Sequence, residues 1–141
     1  YKDRGAVKQV NKHISDAFHA WSRAMLSGKI VKQDFDAIYV SRSGYVIIEI
    51  KRAPSGTVEG WQPYIDDVFN YDIEKHFSDL IGAPFFTLHH RGSECGDDTD
   101  VGCYVIKDVS VVKNERGIKF EKTVVKAKDL IGIFENAVSC D

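Results

Sequence analysis

The chain has 141 residues, 43% of them hydrophobic and 28% charged, with a formal net charge of −2 at neutral pH. That balance describes one globular domain, 1–141, long enough to bury a sizeable core; it argues against a general polyanion binder, whose footprint would be strongly basic. No apolar run approaches the roughly 20 residues of a membrane span, and the start has no signal-peptide pattern. Three cysteines, Cys95, Cys103 and Cys140, are an odd number that builds no disulfide framework. An intracellular setting is therefore expected, in cytoplasm or nucleoid, or in a host cell for a viral protein.

Residues 6–26 carry Val7, Val10, Ile14, Ala17, Phe18, Trp21 and Met25 at three- and four-residue steps, which predicts an amphipathic helix stopped by Gly28. Residues 35–51 read as strand, tight turn, strand, with β-branched and aromatic residues flanking Arg42-Ser43-Gly44. Apolar residues occupy both of its faces: Phe35, Ala37, Tyr39, Val46, Ile48 and Ile50 on one, Ile38, Val40, Tyr45 and Ile47 on the other. Strands of that kind are covered on both sides. A loop rich in Pro, Ser and Gly follows at 53–60. Pro63 then opens a second helix, which runs to about Ile81 and stops at Gly82. Its apolar positions, Tyr64, Ile65, Val68, Phe69, Ile73, Phe77, Leu80 and Ile81, mark the face expected to be buried.

Residues 84–90 predict a third strand, reached from the hairpin through that helix and so parallel to its neighbour in a mixed sheet. Beyond an acidic loop, 92–100, come a fourth strand at 101–106 and a second hairpin, 109–113 and 118–126, around a turn at 114–117. A short helix, 128–138, closes the chain with Leu130, Ile131, Ile133, Phe134, Ala137 and Val138 inward. The expected class is α/β, a mixed central sheet flanked by helices with an additional C-terminal hairpin and helix.

The chemistry concentrates in the first hairpin. Glu49 and Lys51 are two apart and share one strand face. A turn centred on Arg42-Ser43 sets Asp36 opposite Glu49, and one centred on Ser43-Gly44 sets it opposite Lys51. Either register brings two acids and an amine together on one face. Mg²⁺ takes oxygen ligands at roughly 2.0–2.1 Å and keeps several waters. Asp36, Glu49, the Ile50 backbone carbonyl and phosphate oxygens would fill that shell, while Lys51 orients the water or stabilises the transition state. The bland alternative is a surface salt bridge, worth about 0–1 kcal/mol.

Asp36, twelve intervening residues, then Glu49-Ile50-Lys51 resembles the PD-(D/E)xK superfamily of restriction-endonuclease-like nucleases, with Phe35 where the motif has proline. The opening Tyr1-Lys2-Asp3-Arg4-Gly5-Ala6-Val7-Lys8-Gln9 is similar to that of archaeal-type Holliday junction resolvases, in which the following helix bears a metal-binding Glu. Gln9 stands at that position here and supplies no charge. The likeness covers roughly the first ninety residues. It implies a restriction-endonuclease-like core and a Mg²⁺- or Mn²⁺-dependent endonuclease that cuts DNA, branched or otherwise structured, as a homodimer. An RNA endonuclease using the same trio, with His13 as helical ligand, and a noncatalytic binding or assembly module are the alternatives.

His13 follows Gln9 by one helical turn, so the two face the same spot and form a possible supporting pair. Lys29, Lys32, Arg42 and Arg52 surround the trio in sequence and are candidate phosphate contacts, against a default of solvated surface. Trp61 is a candidate stacking platform for a base, against a role in covering the core. His89, His90, Cys95 and Cys103 match no paired zinc spacing, and 97–100 lacks calcium-loop spacing.

Overall fold

The computed structural model describes Trp21 and residues 24–26, 33–53, 58–91 and 100–139. The chain divides into two compact units, Tyr1–Lys32 and Gln33–Asp141. In the first, Trp21 and residues 24–26 are helical, and the rest of the helix expected over 6–26 lies outside the described residues.

The second unit is α/β. Five strands, β1 (Ala37–Val40), β2 (Tyr45–Ala53), β3 (Phe85–Arg91), β4 (Asp100–Val112) and β5 (Glu115–Lys126), form one mixed sheet in sequence order. β2 and β3 are parallel and every other pair is antiparallel. Helix α1 (Val68–Leu80) makes the crossover between the parallel strands, and α2 (Leu130–Val138) follows β5.

Side chains alternate across the sheet and build two cores. On one face Ile47, Phe85 and Ile106 pack with Tyr71 of α1 and Ala83; on the other Val46, Ile48, Phe86 and Cys103 pack with Phe134 of α2. Burial of the Cys103 thiol pushes its pKa up to about 12. Ile131, expected inward, is exposed, because it lies off the stripe formed by Leu130, Ile133, Phe134, Ala137 and Val138.

Three expectations are corrected. The fourth strand and the first arm of the second hairpin are a single strand, β4, with a register shift between Ile106 and Asp108. The hairpin is therefore part of the main sheet, and its two-residue turn is Lys113-Asn114, where Asn114 takes the left-handed conformation (φ 75°) that asparagine tolerates. Second, both faces of the first hairpin are not covered. Ile38, Val40, Tyr45 and Ile50 are all exposed, whereas Val46, Ile47 and Ile48 between them are buried.

Third, α1 begins at Val68 rather than at Pro63, directly after a 3-10 turn at Ile65–Asp67. It ends as expected, at a Schellman cap: the Ala83 N–H donates to Ser78 and the Gly82 N–H to Asp79, with Gly82 at φ 66°. Its buried stripe is Val68, Tyr71, Glu74 and Ser78, while Phe69, Phe77, Leu80 and Ile81 are exposed. Phe77 rests against Phe35 and Phe69 lies under Arg116.

Candidate functional site

Ala37 pairs with Ile48 and Val40 with Tyr45, so the turn centres on Arg42-Ser43. Continued by one residue, that register sets Asp36 opposite Glu49. The Ser41 N–H donates to the Gly44 carbonyl (2.9 Å), and the Ser41 hydroxyl accepts from the Ser43 and Gly44 N–H groups, which locks the turn and with it the register. β1 stops at Ala37, and the Asp36 carboxylate takes over from the ladder by accepting the Ile50 N–H (2.8 Å). The sequence motif therefore becomes one cluster: Asp36, Glu49 and Lys51 lie on the α1 side of the sheet, with the Ile50 backbone between the last two.

Lys51 Nζ lies 2.7 Å from Glu49 and 2.8 Å from Asp67, and 5.5 Å from the centre of the Tyr71 ring. Burial works against its charge, but the Asp67 and Glu49 carboxylates outweigh it and hold the ammonium above the usual lysine range. Lys51 is thus a permanent cation. The Glu49 pKa is raised too, which for an acid disfavours the charge: burial raises it, Lys51 draws it back, and the Asp36 carboxylate raises it again.

Helix α1 brings a fourth acid. Glu74 is 1% exposed, and its Oε1 accepts from the Gln33 amide (2.7 Å). Burial, and then the neighbouring Glu49 carboxylate, push its pKa up to about 8. Like charges this close cannot both ionise without a counter-charge.

β3 lines the floor. Thr87 pairs with Glu49 and His89 with Lys51. Burial, followed by the Lys51 charge, lowers the His89 pKa to about 4, so the ring is neutral. It sits among Trp61 (4.9 Å between centroids), Tyr104 (4.8 Å) and Tyr64 (5.7 Å). The Tyr104 hydroxyl donates to the Trp61 carbonyl. Gly102, paired with His89, makes room for this packing, since a Cβ there would lie 2.7 Å from the buried Tyr104 ring. Gly102→Ala is accordingly expected to cost about 1–3 kcal/mol by overpacking, read as a lower urea midpoint at unchanged slope.

The other candidates separate. Arg42 sits in the turn, at the opposite end of the hairpin from Asp36, and Arg52 is exposed one residue out of phase with Lys51. Trp61 is half-buried against His89. Gln9, His13, Lys29 and Lys32 lie outside the described residues. His89 and Cys103 point to opposite faces of the sheet, as the two cores require. Along the distal hairpin, Lys107–Glu121, Lys119–Asp108 and Lys126–Asp100 pair across β4 and β5.

Sequence reasoning missed Asp67, Tyr71, Glu74 and Thr87. A signal existed: Asp67, Tyr71, Glu74 and Ser78 recur at four-, three- and four-residue steps, a polar stripe at helical spacing. Hydrophobicity alone points to the other face.

Among the described residues, no three His, Cys, Asp or Glu side chains are already gathered as a metal shell. The donors nevertheless suit a hard divalent cation. They are carboxylates with a carbonyl at hand, and Glu74 Oε2 is buried without a hydrogen-bond partner. No helix among the described residues is long and apolar enough to cross a membrane. No family model, curated protein or solved structure matches the chain.

Proposed function

We propose that this chain is a Mg²⁺- or Mn²⁺-dependent endonuclease with a restriction-endonuclease-like core, hydrolysing phosphodiester bonds of DNA as a homodimer. The observation that supports the reading is the convergence of Asp36, Glu49 and Lys51 on one sheet face beneath a helix. Asp36, Glu49 and the Ile50 carbonyl would hold the cation, which would supply Lewis acidity at the phosphate and activate water. The protein's part is positional. The Ile50 N–H fixes the Asp36 carboxylate, and Asp67 holds Lys51 when Glu49 turns to the cation. Lys51 keeps its proton, so it serves as a fixed positive charge and hydrogen-bond donor to phosphate oxygens and not as a general base.

One observation favours a noncatalytic module that keeps this fold for binding: Lys51 already neutralises Glu49, and three ready-made donors are lacking among the described residues. The deciding experiment incubates the protein and Mn²⁺ with a labelled four-way junction, linear duplex, single-stranded DNA and RNA. Cleavage of DNA substrates is expected. Preference for RNA assigns the RNA endonuclease; no cleavage and no metal-dependent rise in melting temperature leaves the binding module.

A further inference from the structure

The side-chain polar atoms buried without a hydrogen-bond partner among the described residues are Tyr71 Oη, Glu74 Oε2, Thr87 Oγ1 and both ring nitrogens of His89. Tyr71, Glu74 and Thr87 belong to the layer between α1 and the sheet, and His89 lies against Trp61 and Tyr64 on the same sheet face. Thr87 is the register partner of Glu49, His89 that of Lys51, and Tyr71 and Glu74 come from the helix above. Isolated buried polar atoms are costly, and native folds keep few of them. Two of them, on Glu74 and Thr87, flank one carboxylate, Glu49. Gln33 ties down Glu74 Oε1 (2.7 Å) and leaves Oε2 turned into this layer.

We infer that Glu74 is a further ligand of the divalent cation, supplied by α1 and acting with Asp36 and Glu49. The inference rests on the proposed reading of Asp36 and Glu49 as cation ligands. In the metal-free protein the Glu74 carboxyl turns to Glu49; the cation would give Oε2 an ionic partner instead. A ligand from α1 also makes the site one carboxylate richer than the hairpin alone provides, and explains why a glutamate shares the buried stripe of α1 with Val68 and Tyr71. Asp67 remains for Lys51, so the amine keeps an anionic partner when Glu49 is engaged by the metal.

The test is Mn²⁺ affinity, read from the electron paramagnetic resonance signal of free Mn²⁺, for the full chain and for Glu74→Gln, Glu74→Asp and Asp36→Asn. Circular dichroism checks that each variant is folded. The expected result is tight binding by the wild type and a loss of at least about 10-fold in each of Glu74→Gln and Asp36→Asn. Glu74→Asp, which keeps the charge but shortens the reach, should fall between. Because Gln is nearly isosteric with the protonated Glu74 carboxyl and keeps its place beside Gln33, the metal-free melting temperature of Glu74→Gln should match or exceed that of the wild type. A Glu74→Gln protein binding Mn²⁺ within twofold of wild type, while Asp36→Asn is impaired, overturns the role of Glu74 and leaves the hairpin site standing. A wild type that does not bind Mn²⁺, or an Asp36→Asn protein that binds it normally, removes the hairpin site and the inference together.

Discussion

Asp36→Ala is expected to lower Mn²⁺-dependent cleavage by at least about 10²-fold, a loss of the size seen when one group that stabilises developing charge is removed. The fold should survive. Asp36 is exposed, so truncation opens no core cavity. What disappears is its acceptance of the Ile50 N–H, a contribution of about 1 kcal/mol that water can partly replace at this edge of the sheet. Activity and stability therefore separate, and single-turnover cleavage set beside urea unfolding of the same preparation reads both. Glu49→Gln gives the companion result by nearly isosteric replacement, with its side chain still beside Lys51. Wild-type turnover in either variant would sink the catalytic assignment.

In EDTA, the stability of the protein is expected to fall between pH 6.5 and pH 8. The folded Glu74 carboxyl titrates near 8, whereas its ordinary value is 4.5. Over that interval the native chain holds a proton that the unfolded chain has shed, so stability declines as pH rises, by up to about 1.4 kcal/mol per unit. His89 works in the opposite direction. Its pKa falls from 6.5 to about 4 in the folded chain, so its contribution is complete above 6.5 and is lost as pH falls through 4. The two oppose each other between pH 4.5 and 6.5, where the curve flattens, and the acid alone governs the range above. Glu49 is raised as well and adds to the acid side, while Lys51 titrates far above this window. Glu74→Gln should abolish the alkaline decline and leave a curve that rises to pH 6.5 and stays level. Urea midpoints at pH 5, 6.5 and 8 are sufficient. A wild-type curve level or rising from 6.5 to 8 would exclude a Glu74 that is protonated when metal-free.

The local elements of this protein were legible because their causes are local. Alternation over Ala37–Val40 and Tyr45–Ala53, glycine at Gly82 and the crossover helix each follow from the preferences of the residues in place, and they suffice to put Glu49 and Lys51 on one face. The sequence by itself thus determined the α/β class, the parallel β2–β3 pair and the companionship of the hairpin acids with the lysine.

Tertiary structure decided the rest. The turn centre chose Glu49 over Lys51 as the opposite of Asp36, a one-residue matter settled by the Ser41 hydroxyl and its two backbone donors. Two strands read from the chain became one because pairing with β5 runs on past the irregularity at Ile106 and Asp108. The rotation of α1 could not be read from hydrophobicity, which points to Phe69, Phe77 and Leu80. The sheet instead receives Val68, Tyr71, Glu74 and Ser78, because the two parallel strands beneath present Glu49, Lys51 and Thr87. The hydrogen bonds of this stripe, Gln33 to Glu74 and the Ser78 hydroxyl to the Ala83 carbonyl, exist only once the chain has folded.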